Sequence, residues 1–251
     1  MIRPARTIDE VISVLQEIID RETMLNSPLA YFPALYRMVT IRVKQGILNN
    51  EFEDGNRMEQ LDVLFANRYI TAFVDFKGKR PITAAWRVTL EAGKKPLLIL
   101  HHLLLGMNAH INLDLSVSAA ETMKNKPLTG LHNDFNVINR LLSEMSDTVQ
   151  VRIGKVSPLI GLLDRFAGDS DAMLVKFSIN EARDGAWKSA GEFHASQNTG
   201  TLLAERDRKI SALGLGLIYP NSRMVRNLVS VIRLAEQKDV RKVVRTMTTG
   251  T

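Results

Sequence analysis

The sequence has no cysteine among its 251 residues. This absence excludes disulfide bonds, thiolate nucleophiles and cysteine-ligated zinc, and it is typical of proteins that stay inside the cell. The first 16 residues lack the apolar core of a signal peptide, so we expect a cytoplasmic protein. No run approaches the roughly 20 apolar residues that a membrane span needs. The longest candidate, Leu97–Leu105, contains two histidines, and we therefore expect no membrane span.

Several catalytic motifs are also missing. The sequence has no HExxH, no adjacent His-Asp pair of the phosphohydrolase type, no Glu-x-x-His of di-iron bundles and no P-loop. Gly214-Leu215-Gly216 lacks the third glycine and the preceding strand of a dinucleotide-binding loop. No nucleophile elbow of a serine hydrolase is found either. Any chemistry must therefore come from another arrangement of residues.

Charge is nearly balanced except near the end of the chain. The sequence has 33 basic and 27 acidic residues, a net charge of +6. Residues 222–247 carry many of the basic groups together with valine, leucine and isoleucine at helical spacings, which predicts an amphipathic helix with a solvated basic face. Contact with an anionic partner is the alternative. No aromatic residues are interleaved with these charges, so nucleic-acid binding is not favoured.

Residues typical of helix starts and helix ends recur along the whole chain. Thr7-Ile8-Asp9-Glu10 matches a capping box that opens a helix to about Leu25, and Ser27-Pro28 opens a second one that ends near Gly46. Further helices are predicted at about 57–76, 81–93, 96–123, 131–145, 157–166, 171–196, 201–213 and 222–247. We therefore predict an all-α bundle of about ten helices.

No segment has the pattern of a strand that could pair, so we predict no sheet. Thr148–Ile153 alternates like a strand, but it is too short and isolated to pair. The chain also lacks a linker rich in proline, glycine and serine, which favours a single domain over residues 1–251. Gly168-Asp169-Ser170 is the best alternative boundary between two domains.

The most informative segment is the leucine-rich stretch Leu100–Leu115, which predicts a buried helix. Polar residues interrupt this stretch at six positions: His101, His102, Asn108, His110, Asn112 and Asp114. Burying them costs free energy unless each finds a partner. The helix is therefore either part of an internal polar network or the wall of a site, and Gly106 within it allows a close approach to its backbone.

One hypothesis makes this helix part of a metal site. His110 and Asp114, about 6 Å apart along a helix, can reach one point and suit a divalent ion such as zinc, manganese or iron. His132 and Asp134, at the start of the next helix, are the other predicted ligands, with Asp62 as a further candidate. His102 would transfer protons or orient a ligand, and a metal-bound water would hydrolyse phosphoesters of a small-molecule substrate.

Two alternatives need no metal: a ligand pocket without a metal, and a purely structural role. A histidine four residues before an aspartate can hydrogen-bond it without any metal, and Asp134 at a helix start favours the positive end of the helix dipole. His110, Asp114 and the other polar groups would then form an internal hydrogen-bond network. The protein would be a non-catalytic helical binding or structural module.

A second group of candidates lies on the late helix, where Arg183, Trp187, Gly191 and His194 share one face. Arginine and tryptophan together can clamp an anionic or planar ligand. Alternatively, Trp187 belongs to the core and Arg183 pairs with a carboxylate.

Several strings carry a resemblance to a known family. They are LDVLFANRY at 61–69, AWR at 85–87, HLLLGMNAHINLDL at 102–115 and DF at 134–135. From about Leu29 to Arg206 the chain resembles a family of uncharacterised bacterial domains of unknown function. The resemblance implies a shared fold but no reaction.

A weaker likeness is to zinc-dependent phospholipase C and the related single-strand nucleases, which are also all-helical. These proteins use His-x-x-x-Asp steps on helices as zinc ligands, and His110 to Asp114 is similar to such a step. In those families another histidine follows closely, whereas here Asp114 is followed by Leu-Ser-Val-Ser. The likeness implies zinc-dependent hydrolysis.

Overall fold

The computed structural model describes residues 2–166 and 178–249. Every regular element in these ranges is a helix, which confirms the predicted all-α class. The helices are α1 (Ile8–Met24), α2 (Tyr31–Leu48), α3 (Gly55–Lys77), α4 (Ala84–Glu91), α5 (Ile99–Ala109), α6 (Leu115–Thr122), α7 (His132–Val156), α8 (Gly161–Phe166), α9 (Ile179–Ala195), α10 (Thr199–Ile218), α11 (Arg223–Ala235) and α12 (Val240–Thr248).

The most informative segment forms one continuous helix in the middle of the bundle. A π-helical turn, His110–Asp114, joins α5 to α6, and we call the whole of residues 99–122 the central helix. It contacts α2, α3, α4, α9 and α10. Leu103, Leu105 and Leu113 are fully buried in these contacts. The expectation of a buried leucine-rich helix is therefore confirmed.

The first helices begin where the sequence predicts. The Thr7 side chain accepts a hydrogen bond from the Glu10 N–H, while the Glu10 carboxylate accepts from the Arg6 N–H at 2.6 Å. Thr7 is thus an N-cap, but the second half of the expected capping box reaches one residue further back. Ser27 and Pro28 open a 3-10 turn that leads directly into α2.

The segment that alternates like a strand is helical. Residues 148–153 belong to α7, which continues to Val156 instead of ending near Met145. The reason is visible in the packing, because Leu142, Met145, Val149 and Ile153 are spaced by three and four residues and face the interior together.

The tail is two helices, so the prediction of one continuous helix over 222–247 is wrong. The chain breaks between α11 and α12, where Glu236 is buried. The Glu236 carboxylate accepts hydrogen bonds from the Ile99 N–H at 3.2 Å and from the Ser157 hydroxyl at 2.8 Å. It therefore satisfies the first turn of the central helix, whose N–H groups have no intrahelical acceptor.

Two expectations fall outside the described residues. They are the alternative domain boundary at 168–170 and the first residues of the helix predicted from Asp171. The part of that helix within the described ranges is α9, which ends at Ala195 as expected. Across the described ranges, no helix has both the length and the apolar composition needed to cross a membrane.

Candidate functional site

A cavity of about 250 Å³ lies beside the central helix, between α2, α3, α7 and α9. Its walls are mostly aliphatic, methionine and aromatic side chains, among them Leu35, Met58, Leu103, Met107, Ile138 and Met145. Methionine side chains are flexible and polarisable, so these walls can adapt to the shape of a bound molecule. The exposed residue Gln150 also belongs to the lining, and the cavity therefore reaches the surface beside α7.

Asp62 on α3 lines this cavity with only 8% of its surface exposed. Its Oδ2 atom has no hydrogen-bond partner within the described ranges. Burial, and to a smaller extent the charge of Glu59, raise the pKa of Asp62 to about 7. Near neutral pH the side chain therefore exists both as an acid and as a carboxylate.

His110, in the π-helical turn, lines the same cavity. Its ring stacks on Phe65 with the centroids 3.5 Å apart and the planes 8° from parallel. The Nδ1 atom lies 3.4 Å from Asp114 Oδ2, whereas Nε2 has no partner among the described residues. Burial lowers the pKa of His110, so the imidazole is neutral at pH 7. If Nδ1 carries the proton toward Asp114, Nε2 is a hydrogen-bond acceptor.

Tyr36 on α2 is the third polar residue of this group. Its ring centroid lies 4.5 Å from that of His110. The hydroxyl is buried; the Thr40 side chain lies near it and acts to lower its pKa, but no hydrogen bond of normal geometry reaches it within the part of the chain that the structure describes. Burial and the charges of Asp62 and Asp114 raise the pKa of Tyr36 well above its usual value, so the phenol stays protonated. We refer to Tyr36 Oη, Asp62 Oδ2 and His110 Nε2 as the three cavity atoms.

A buried cation, Arg183 on α9, also lines the cavity. It donates to the Phe135 carbonyl at 2.9 Å and to the Asn139 side chain, and its guanidinium lies 4.3 Å from the Phe135 ring centroid. Burial lowers the pKa of Arg183 to about 9, which leaves it charged at neutral pH. No carboxylate of the described residues forms an ion pair with it, so the expected pairing of Arg183 with a carboxylate is not found there.

The Asp114 carboxylate belongs to a hydrogen-bond network on another side of the central helix. Oδ1 accepts from Arg68 Nε at 2.9 Å, and Oδ2 accepts from Trp86 Nε1 at 2.9 Å. Arg206 Nε donates to the Asn112 carbonyl at 2.5 Å, which supplies a partner to the backbone in the π-helical turn. These contacts hold Asp114, and with it the imidazole of His110, in place.

The four predicted metal ligands are not brought together. In the described part of the chain, no three His, Asp or Glu side chains form a group that could hold a metal ion. Asp134 accepts from the N–H groups of Glu53 at 2.6 Å and Asp54 at 3.3 Å, and from Arg57 at 2.5 Å. His132 is exposed and lies against Trp187, with ring centroids 4.9 Å apart. Of the contacts expected among these four side chains, only the one between His110 and Asp114 is present.

The two adjacent histidines lie apart from this group. His101 Nδ1 accepts from the Leu98 N–H at 3.2 Å, which caps the central helix. The His102 ring meets Tyr31 edge-on at 5.9 Å, and His102 is not among the described residues that line the cavity. Burial lowers the pKa of His101 to about 4 and that of His102 to about 3. The geometry gives His102 no contact with the predicted metal ligands.

The remaining candidates join helices to one another. Asn108 donates to the Ile210 carbonyl at 3.0 Å and accepts from Asn112 at 3.1 Å, which ties the central helix to α10. His194 Nε2 lies 3.1 Å from the Met123 carbonyl and 2.9 Å from that of Lys126. Trp187 packs on the Phe135 ring at 4.9 Å. These contacts are those of an internal network.

Sequence reasoning missed two residues beside His110. Phe65 follows Asp62 by three residues and so shares its helix face, but an apolar residue on a predicted buried face carries no signal of a site. Tyr36 carried no local signal, because its position opposite His110 depends on how α2 packs against the central helix.

The fold and the cavity define an all-helical protein with a largely apolar pocket whose lining includes Tyr36, Asp62 and His110. The chain belongs to the family of unknown function DUF5995, whose family model matches residues 8–220. This match confirms the resemblance to uncharacterised domains and spans the cavity residues as well as the Asp114 network. No curated protein and no solved structure matches the chain.

Proposed function

We propose that the protein binds a small, largely apolar molecule in the cavity and holds a polar group of that molecule with Tyr36, Asp62 and His110. The observation that carries the proposal is the position of the three cavity atoms. All three are buried, and none has a hydrogen-bond partner in the described ranges. The three residues that carry these atoms all line the same cavity.

The energetic argument supports a ligand. A buried donor or acceptor that lacks a partner costs about 1–3 kcal/mol, so three of them together are a large penalty for a marginally stable fold. A hydroxyl or carbonyl group of a bound molecule would remove part of this cost. The protonated Tyr36 hydroxyl can donate to such a group, while His110 Nε2 and the Asp62 carboxylate can accept from it.

The dimensions limit the ligand. A cavity of about 150 Å³ in another protein is large enough for benzene, whereas sites for drug-sized molecules begin at about 300 Å³. The cavity volume of about 250 Å³ therefore fits an apolar body of one or two rings. Its mostly apolar walls favour an apolar molecule over a phosphoester, because a charged phosphate group would lose much of its hydration there.

Binding of 2-naphthol and of naphthalene tests the proposal. Both probes have the same two-ring body, and only 2-naphthol has a hydroxyl for the three cavity atoms. We expect the protein to bind both and to prefer 2-naphthol by about three- to tenfold, the worth of one hydrogen bond. Fluorescence titration of 2-naphthol, and its displacement by naphthalene, would measure this preference.

A matched pair of variants locates the binding. Met107→Trp adds a large side chain to the cavity wall, whereas Met24→Trp makes the same change at a residue that is 75% exposed. Binding should be lost in the first variant and unchanged in the second. If Met107→Trp folds and binds 2-naphthol like the unchanged protein, the ligand lies elsewhere and the proposal is wrong.

Hydrolysis of phosphoesters by a bound metal stays a prediction from the sequence. Its ligand pair His110 and Asp114 is in contact, but Asp114 also accepts from Arg68 and Trp86. The cavity gives stronger support to binding of an apolar molecule.

A further inference from the structure

Asp62 differs from the other buried acidic residues. Among the described residues, five acidic side chains are buried, and four of them have polar partners. Glu22 pairs with Lys77 at 2.7 Å, and Glu236 accepts from a hydroxyl and a backbone N–H. Asp114 and Asp134 each pair with an arginine. Asp62 alone has no hydrogen bond or ion pair in the same ranges, and it borders an apolar cavity.

Such a carboxylate is a stronger base than a solvated carboxylate. Water and hydrogen-bond donors normally stabilise the charge of a carboxylate, and burial without donors makes the charged form less stable and more ready to take a proton. The lining beside Asp62 is apolar and includes Leu61 and Phe65. A molecule in the cavity would therefore meet this base with little competing water.

The neighbouring polar atoms complete an arrangement for proton transfer. The Tyr36 hydroxyl is protonated and can donate to an oxygen atom on which negative charge develops. The His110 imidazole, held by Asp114, is neutral and adds no positive charge, so Arg183 is the one cation among the described residues that line the cavity. One base and one hydrogen-bond donor thus line the same apolar cavity.

We infer that this cavity catalyses proton transfer within apolar carbonyl compounds, with Asp62 as the general base and Tyr36 as the donor to the carbonyl oxygen. This inference rests on the proposed binding function. Asp62 takes the proton from the carbon next to the carbonyl group, and the C–H electron pair forms a carbon–carbon double bond. The carbonyl π pair moves to the oxygen, which Tyr36 stabilises. Return of the proton from Asp62 to a different carbon of a conjugated enolate, while the oxygen electron pair re-forms the carbonyl group, gives a double-bond isomer without a co-reactant.

The test reaction is the base-catalysed ring opening of 5-nitrobenzisoxazole, an apolar two-ring probe. The base takes the proton from C3, the C–H electron pair completes a nitrile, and the N–O bond breaks to leave a phenolate. The phenolate is coloured, so its absorbance gives the rate, and the only group required is a positioned base. We expect the protein to exceed acetate at equal concentration and pH, because acetate is fully solvated.

Three variants separate the roles of the residues. Asp62→Asn keeps the shape of the side chain but removes the base, and we expect the rate to fall by about 100-fold or more. Tyr36→Phe should lower the rate by a smaller factor. Asp75→Asn makes the same carboxylate-to-amide change on α3 at a surface ion pair with Arg80, and we expect it to leave the rate unchanged.

The pH profile of the unchanged protein gives a readout that does not depend on any variant. The rate should rise with pH as Asp62 ionises, with a midpoint near 7. The charged or titratable groups near Asp62 are Glu59 on α3 and, in the cavity lining, Tyr36, His110 and Arg183. A midpoint near 4, typical of an exposed carboxylate, would contradict the inference.

The outcomes for binding and for catalysis are distinguishable. If Asp62→Asn binds 2-naphthol and has the rate of the unchanged protein, Asp62 is not the base and the inference is wrong, while the binding function stands. If the unchanged protein binds neither probe, the proposed function itself is wrong. If binding persists and the rate disappears in Asp62→Asn alone, the inference is supported.

Discussion

Asp114 and Asp62, the two aspartates around His110, are both buried but differ in their hydrogen-bond partners and in their surroundings. Asp114 is 1% exposed and accepts hydrogen bonds from Arg68 and Trp86, while Asp62 is 8% exposed and accepts none from the residues that the structure describes. The first faces a network that joins α3, α4 and the central helix. The second faces an apolar cavity.

This difference separates a structural carboxylate from a functional one. The partners of Asp114 stabilise its charge, so the network contributes to the fold and fixes the imidazole of His110. Asp62 receives no such stabilisation, and its raised pKa means that ionisation at neutral pH costs folding free energy. A fold that keeps such a group at the wall of a cavity indicates a role in binding or chemistry.

Removal of Asp114 should have the largest effect on stability. Asp114→Ala leaves the Arg68 guanidinium and the Trp86 indole N–H without their acceptor, and breaking a buried pair in this way costs about 3–5 kcal/mol. Chemical denaturation at pH 7 would measure the loss. Asp75→Ala, which breaks the exposed pair with Arg80, is the control and should cost at most about 1 kcal/mol. Equal losses in the two variants would show that the network is not structural.

Replacement of Asp62 should have the opposite effect and increase the free energy of unfolding. The pKa of Asp62 rises from 3.8 to about 7 on folding, so between these pH values the unfolded chain is ionised while the folded one holds its proton. The free energy of unfolding therefore falls as pH rises from about 4 to 7 and stays low above it. At about 1.4 kcal/mol for each pKa unit, Asp62→Asn should gain up to about 4 kcal/mol over the unchanged protein between pH 4 and pH 8.

Denaturation curves at pH 4.5 and pH 8 check this expectation. The gain from Asp62→Asn should be small at the lower pH and near its maximum at the higher one. Asp75→Asn, measured in parallel, should show no gain at either pH. A loss of stability at pH 8 in Asp62→Asn would mean that Asp62 has a stabilising partner and that the contrast with Asp114 is wrong.

The sequence predicted the helices and the contact between His110 and Asp114 because both depend on local spacing. It could not predict where Asp134 lies, since its partners Glu53 and Arg57 are about 80 residues away and reach it only in the folded chain, where the start of α3 lies beside the start of α7. The same holds for Glu236, which breaks the tail because it caps a distant helix.

The cavity was also beyond prediction, for a different reason. Residues that line it, such as Leu103, Met107 and Val149, recur at the same spacing as residues of a solid core. Whether facing helices fill the space between them depends on their separation and on how their side chains meet, which the spacing of apolar residues does not reveal. The polar residues could be recognised from the sequence. The cavity that makes Asp62 a candidate functional residue could not.

The smallest expected effect concerns the contact of the central helix with Phe32 of α2, a residue that also lines the cavity. A Cβ atom at Gly106 would lie 2.3 Å from the Phe32 ring and 2.8 Å from the Phe32 Cβ, so the ring cannot avoid it by rotation alone. Gly106→Ala should therefore cost about 1–3 kcal/mol, as overpacking does, less the gain in helix propensity. Gly185→Ala is the matched control, because nothing in the described residues lies within 4 Å of its added Cβ atom, and it should stabilise α9 by up to about 1 kcal/mol.

Because Phe32 also contacts His110, with ring centroids 5.6 Å apart, we expect Gly106→Ala but not Gly185→Ala to weaken 2-naphthol binding. Thermal denaturation and the titration would measure both effects, and a stable Gly106→Ala variant with unchanged binding would show that the contact between Gly106 and Phe32 does not position the cavity wall.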